Sequence, residues 1–364
     1  MSLPDSMRAV VLMGHGGLDQ LEYRTDWPRP EPLADQVLIK VEACGMNNTD
    51  VNTRSGWYSK TVSEATTGGG YDEVDEDDPT WGGAPIELPR IQGADVVGTV
   101  VGVGVNADQS LLGKRVMTDN WLRDWDDPLN KDKTGYYGSE LDGGYAEYTV
   151  IDHRNVRAVE STMSSEELAT FSCSYSTAEG MLSRANVGSE DVVLVTGASG
   201  GVGSALIQLA KRRGAKVVAM SSESKHAQLA ELQPDVLLPR SVANLAATLQ
   251  ETIGRDTVTV VADIVGGGAF GGLLDVLERG GRYTCSGAIA GPIVDFDLRT
   301  FYLKDITMTG STVILPHVFD DLISYIEAGE LTALVAETVP LKDFHAGQAA
   351  FIEKTHIGNF VVVP

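Results

Sequence analysis

Residues 192–214 read VVLVTGASGGVGSALIQLAKRRG, and the reading of this stretch decides the fold. Val192 to Val195 is a short apolar, β-branched run of strand character, and a helix-like segment begins near Ser204. Between them lie Thr196-Gly197-Ala198-Ser199-Gly200-Gly201-Val202-Gly203. Glycine lets the backbone turn sharply, lets a pyrophosphate approach the amides, and lets the helix pack closely on the strand. The helix N-terminus adds partial positive charge. Strand, glycine turn and helix together read as a phosphate cradle, with Ala198, Ser199, Gly200, Gly201, Val202 and Gly203 as its binding residues.

Working outward, the same rhythm continues on the C-terminal side. KVVAMS (216–221) is followed by a polar helix from Lys225, then TVTVVADIVG (257–266), LLDVLERGG (273–281) and RYTCSG (282–287). Buried strands alternating with helices of this length predict βαβ units and an α/β, doubly wound parallel sheet. Towards the N-terminus, from Met7 to Val159, short runs such as AVVLM, QVLIKVEA, DVVGTVVGVG and AEYTVI are separated by Gly, Pro and Asp clusters. This half reads as a mainly β domain. The closing GNFVVVP returns to a strand, expected to pair with that first domain. The divisions are therefore 7–159 for the first part of the β domain, 160–308 for the dinucleotide domain and 309–364 for the return.

Two insertions, 59–82 and 119–141, do not read as core. The first holds six acids in the seven positions from Asp72 to Asp78 and predicts a solvated loop without the ligand spacing of a calcium loop. The second mixes Trp121, Trp125, Tyr136 and Tyr137 with five aspartates, and is expected to pack on a neighbour or cap a cleft.

The chain has 364 residues, with 51 Asp plus Glu against 28 Lys plus Arg and a formal charge of −23. That charge repels nucleic acid and anionic membrane surfaces, so neither is an expected partner. Cys44, Cys173 and Cys285 are too few and too scattered for a disulfide framework. With no membrane-length apolar run and no leader pattern, the expectation is a soluble cytoplasmic protein whose natural start is Met7.

The glycine turn also spells Gly197-x-Ser199-x-Gly201, the nucleophile elbow of α/β-hydrolases, for which Asp263 and His317 or His345 stand downstream. Gly203 and a whole β domain ahead of the elbow have no use in that reading. A short-chain dehydrogenase needs a Tyr-x-x-x-Lys pair, and no tyrosine here has a lysine four positions later. At the end of the second strand, an acid takes the ribose hydroxyls of NAD but repels the 2′-phosphate of NADP. Here the strand runs into Ser221-Ser222-Glu223-Ser224-Lys225. Ser221, Ser222 and Lys225 suit a phosphate, with Glu223 discordant, so NADPH is the expected cofactor.

Taken in order, VEACGMNNTD with RSGWY, PRIQGADVVGTVVGVG, GGYAEY, SYSTAEG, TGASGGVG, DIVGG with LERGGRYTCSG, and GNFVVVP span nearly the whole chain. The series resembles the medium-chain dehydrogenase/reductase superfamily, in its zinc-lacking, quinone-oxidoreductase-like branch. The resemblance implies a GroES-like catalytic domain built from both chain ends, a Rossmann domain between them, and a cleft where nicotinamide meets a small-molecule substrate. It also implies a homodimer or homotetramer, with 307–314 as the joining edge. Zinc-dependent relatives place a metal-binding Cys where this chain has Asn47 and a metal-binding His where it has Ala94. Only Cys173 aligns with a ligand, and catalytic zinc needs three. The four-cysteine lobe of alcohol dehydrogenases would fall in 119–141, which has no cysteine. No metal is expected, and Cys44 and Cys173 read as small buried residues.

Without a metal, the site must rely on positioned hydrogen bonds and on NADPH as hydride source. By resemblance, Asn47 holds a substrate oxygen and Tyr58 gives the proton, with solvent as competitor. Thr177 matches a threonine at the nicotinamide, and Val265, Gly287 and Ala288 match the strand ends beneath it. The substrate classes left open are quinones, enones and enoyl thioesters, the acidic insertion weighing against the last. A zinc-type alcohol dehydrogenase and a non-catalytic NADPH-binding protein stand as alternatives.

Overall fold

The computed structural model describes residues 3–71, 74 and 85–364. Of the acidic run Asp72–Asp78, all but Val74 lies outside the described residues. The chain divides into two compact units: Met1–Val62, Thr67–Cys173 and Leu315–Pro364 form the first, and Ser63–Thr66 with Ser174–Ile314 form the second.

The first unit is built on a seven-stranded sheet. Its path runs Val156–Ala158, Arg115–Thr118, Asp95–Val103, Gln36–Gly45, Asn359–Val363 and Val335–Pro340, with Tyr148–Asp152 also paired to Gln36–Gly45. The long strand QVLIKVEACG alternates large apolar residues with Lys40 and Glu42, and its apolar positions are buried. The closing strand Asn359–Val363 inserts between Gln36–Gly45 and Val335–Pro340, so residues from both ends of the chain share one sheet, as GNFVVVP led us to expect.

The second insertion departs from its expectation. Trp121–Arg123 pairs antiparallel with Thr134–Tyr136, and Trp121, Tyr136 and Tyr137 are all buried. Asp119 and Arg123 form an ion pair at 3.3 Å inside this hairpin. The two strands of this hairpin are therefore part of the core of the first unit, because aromatic residues line them, while 124–133, with Asp124, Asp126, Asp127 and Asp132, form the exposed to half-buried connection between them.

In the second unit six parallel strands follow the order Val236–Pro239, Lys216–Ser221, Val192–Val195, Val258–Asp263, Leu277–Cys285, Thr307–Gly310. The order reverses direction between Val192–Val195 and Val258–Asp263, which is the switch point of a doubly wound sheet. Val192, Leu194, Val218, Val258 and Val261 pack with Leu249, Leu273 and Leu274 from the flanking helices. Thr307–Gly310 closes one edge of this sheet. The polar helix expected from Lys225 is only one turn, His226–Leu229, extended by the 3-10 turn Ala230–Leu232. It stops because Gln233 turns left-handed (φ 54°) ahead of Pro234, which disfavours helix in the residue before it. Among the described residues, no helix is long and apolar enough to cross a membrane.

Candidate active site

In the second unit the glycine turn has the geometry its sequence demands. Gly197 lies at φ +57°, in the left-handed region. A Cβ on Gly203 would stand 2.2 Å from the Gly197 carbonyl oxygen and 2.7 Å from the Ala198 Cα, so only glycine lets the helix close on the turn. That helix, Gly201–Arg212, starts from Gly200 with no side-chain cap on its first amides, and its dipole favours an anion there. The residues present fit a dinucleotide pyrophosphate.

Lys225 Nζ donates to Ser199 Oγ at 3.3 Å, which brings the second-strand residue onto the turn itself. Ser222 and Lys225 are half-buried, whereas the discordant Glu223 is exposed. Burial, and then repulsion from Arg240, hold the Lys225 ammonium below its ordinary pKa. Arg240 was not legible as a site residue. It follows the strand Val236–Pro239, and the parallel register that sets Ser221 opposite Pro239 carries it to the same strand ends. A cation held down by a neighbouring cation is relieved by an anion placed beside the two.

Val265, Gly287 and Ala288 also come together: Ala290 N donates to Val265 O at 2.8 Å, and a Cβ on Gly266 would meet the Ala288 Cβ at 3.2 Å. Thr177 is half-buried on the helix Ser172–Arg184. Asp263, the acid required by the serine-elbow alternative, takes hydrogen bonds from Thr196 Oγ1 (2.5 Å), Tyr283 OH (2.6 Å) and the amides of Val265 and Gly266. Its carboxylate holds the turn after its own strand, and Ser199 is engaged by Lys225, so neither group is set up as a triad member.

The first unit holds Asn47 and Tyr58 at opposite ends of one short helix. Asn47 is the N-cap of Asn48–Ser55, and its backbone N–H donates to Asp50 Oδ2 at 2.8 Å. Gly56, at φ +79°, ends the helix and returns the chain so that the Tyr58 hydroxyl lies 3.3 Å from Thr49 Oγ1. The Asn47 amide donates from Nδ2 to Asp95 Oδ2 at 3.0 Å, and Asp95 Oδ1 accepts the backbone N–H of Cys173 at 2.8 Å. Tyr145 OH reaches Asp50 Oδ2 at 2.6 Å. Tyr136, from the hairpin, donates its hydroxyl to Cys173 Sγ at 3.1 Å. Cys173 is thus half-buried in a polar cluster, not the small core residue expected, whereas Cys44 is buried as expected. Sequence reading missed Asp50, Asp95, Thr49 and Tyr136. The signal for Asp95 was its place beside Ala94, the substituted metal-ligand position.

Burial dominates the electrostatics of this cluster. It pushes Asp95 up to about 7 and Asp50 up to about 6, against the pull of their hydrogen-bond donors. Tyr58 is pushed up to about 12, again by burial, and keeps its proton at neutral pH. Because Asp50 and Asp95 ionise less readily in the fold than in the unfolded chain, their protonated forms favour folding. Stability is lost as pH rises from about 4 to about 7. We expect unfolding stability, on the order of a few kcal/mol for the pair, to be lost between pH 5 and pH 8, with a lower melting midpoint at the higher pH. Asp95→Asn should flatten that slope in calorimetry at the two pH values; an unchanged slope would show that Asp95 does not titrate in this range.

Among the described residues, no group of three or more His, Cys, Asp or Glu side chains is arranged to hold a metal ion. Residues 33–161 match the family described as the alcohol dehydrogenase GroES-like domain, and 201–328 the family described as zinc-binding dehydrogenase. A crystal structure from Sinorhizobium meliloti, described as a candidate alcohol dehydrogenase, is 43% identical with a TM-score of 0.91, covering 100% of this chain and 98% of its own. Acryloyl-coenzyme A reductase of Metallosphaera sedula is 26% identical, over 98% of this chain and 99% of its own. Quinone oxidoreductase of Homo sapiens is 28% identical over 84% and 80% respectively. With a GroES-like β unit, a doubly wound parallel sheet entered through a glycine turn, and a full-length relative at 43% identity, the chain belongs to the medium-chain dehydrogenase/reductase superfamily of oxidoreductases.

Proposed function

We propose that the chain is a zinc-independent, NADPH-dependent oxidoreductase acting on a carbonyl-conjugated small molecule such as a quinone or enone. The observation that carries this reading is the bond between Asn47 and Asp95. By the resemblance, Asn47 stands where zinc-dependent relatives have a metal-binding Cys, and here its amide is bonded to the carboxyl of Asp95 beside Ala94, so hydrogen-bond donors would replace the Lewis acid. NADPH would be held by Ala198 to Gly203, Ser221, Ser222 and Lys225, with Arg240 added to the 2′-phosphate side and Thr177, Val265, Gly287 and Ala288 on the nicotinamide side. When bound, it supplies the hydride. The chain's own residues do the rest. Asn47 has an N–H beyond the one given to Asp95, which can hold the substrate oxygen. Tyr58, kept neutral by burial, has a proton to give, and Thr49 is its hydrogen-bonded neighbour. Three free cysteines accord with a cytoplasmic setting, and the Thr307–Gly310 edge with a homodimer.

The test is a fluorescence titration with NADPH and with NADH, then NADPH consumption with quinones and enones before and after chelation. We expect NADPH to bind roughly tenfold or more tighter, a difference of about 1.4 kcal/mol. Turnover should survive the chelator, and sedimentation of the same sample should give a dimer or a tetramer, a strict monomer counting against the edge-strand interface. Turnover lost to the chelator and restored by zinc would identify a zinc-type alcohol dehydrogenase. Tight binding without turnover would identify a non-catalytic NADPH-binding protein.

A further inference from the structure

We propose that Asp95 is a positioning residue of this site, fixing the Asn47 amide with its NH2 towards the carboxylate, one N–H engaged there and the other held in place for a substrate oxygen; the inference rests on the role given to Asn47 above. The register places it there. Asp95 opens the strand Asp95–Val103 directly opposite Gly45, and two residues beyond Gly45 the chain reaches Asn47. Asp95 is fully buried, and its two oxygens are divided between two elements: Oδ2 takes Asn47 Nδ2 at 3.0 Å and Oδ1 takes the Cys173 N–H at 2.8 Å.

A primary amide is planar, with two donors on one side and one acceptor on the other. With Asp95 ionised, rotating the Asn47 amide by half a turn would set its carbonyl oxygen against Asp95 Oδ2, two acceptors face to face in a buried place, which costs more than an ordinary lost hydrogen bond. Asp95 cannot swing aside to relieve this. The residue is fully buried, and its other carboxylate oxygen is held by the Cys173 N–H. The carboxylate therefore selects one of two amide orientations and, through Cys173, ties that choice to the start of the helix Ser172–Arg184. Asp50 supports the same orientation from the other side: its carboxylate accepts from the Asn47 backbone and, in the capping box, its own backbone N–H faces the Asn47 side-chain oxygen.

Asp95→Asn tests this. The new side chain can keep one acceptor for Cys173, but it then turns an NH2 towards the Asn47 NH2, and the Asn47 amide is expected to flip. We expect kcat with a quinone or enone to fall about tenfold to a hundredfold, as displacement of a positioned group does, while the Kd for NADPH stays within about twofold. Wild-type kcat and KM in a folded Asp95→Asn enzyme would overturn the proposal and leave Asp95 a merely structural acceptor. A second measurement needs neither turnover nor the variant. In nitrogen-15 spectra, the side-chain amide protons of Asn47, identified by their absence in Asn47→Asp, should be well separated, and one should be protected from exchange. Averaged, rapidly exchanging Asn47 protons in the wild type would also overturn it. Should the wild type turn over no substrate, the proposed function fails, while these spectra still decide whether Asp95 orients Asn47.

Discussion

Gly203→Ala is expected to bind NADPH about a hundredfold more weakly, equal to about 2.7 kcal/mol, and to unfold at lower denaturant than the wild type. Helix propensity alone points the other way, since alanine inside a helix is favoured over glycine by about 1 kcal/mol. What overrides it is contact with main chain. The added Cβ would lie 2.2 Å from the Gly197 carbonyl oxygen and 2.7 Å from the Ala198 Cα, neither of which can rotate away. The helix Gly201–Arg212 has to lift off the turn, taking its N-terminal amides from the phosphates they would hold, at a cost of about 2–4 kcal/mol in stability. Gly200→Ala is the control. Its Cβ would meet nothing closer than the Gly197 oxygen at 3.7 Å, an ordinary contact, so its folding stability should change little. Equal urea midpoints for the Gly203 variant and the wild type would show that the turn yields more than this geometry allows.

Arg54→Met should lose about 4 kcal/mol or more, enough to deplete the folded protein in cells. Arg54 is fully buried, and its guanidinium is spread over three neutral acceptors: Gly16 O at 2.5 Å, Gly68 O at 2.6 Å and Gln348 Oε1 at 2.9 Å. Each acceptor left without a donor costs about 1–3 kcal/mol, whereas the apolar stem of methionine recovers only part of the packing. The same side chain pins two loops, so the surviving fraction should be cut first near Gly16 and Gly68 in limited proteolysis. Lysine supplies the charge but not the planar fork, and Arg54→Lys should fall between the two. A methionine variant with wild-type stability in urea would show that water replaces the guanidinium there.

The second unit was legible because its signals are local. Strand, glycine turn and helix lie within one stretch of sequence, and each successive strand repeats the pattern. Asn47 and Tyr58 were named by resemblance, but the residues that surround them in the fold were not, because register brings those together. Asp95 meets Asn47 only through the pairing with Gly45, and Arg240 joins Ser221 only through the pairing of its strand with Pro239 opposite Ser221. The hairpin 119–141 was misread for a compositional reason. Its aspartates dominate the sequence but gather at the turn, while Trp121 and Tyr136, 5.3 Å apart between ring centres, fill its interior. The turn after Lys225 was overextended because Gln233, the residue that ends it, is seldom left-handed.

The place of the strand Asn359–Val363 sets the order in which the molecule is made. During synthesis the parallel sheet of the second unit has all six strands once Gly310 has left the ribosome, and nothing later is added to it. The first unit cannot close then, although Gln36–Gly45 emerged long before. Tyr148–Asp152 covers residues 36–40 of that strand's second flank, but its Cys44–Gly45 end stays unpaired there until Asn359–Val363 arrives to fill the gap beside Val335–Pro340. The sheet of the first unit is thus complete only after that of the second, and the edge left at Cys44–Gly45 and along Val335–Pro340 is a place where a nascent chain can pair wrongly.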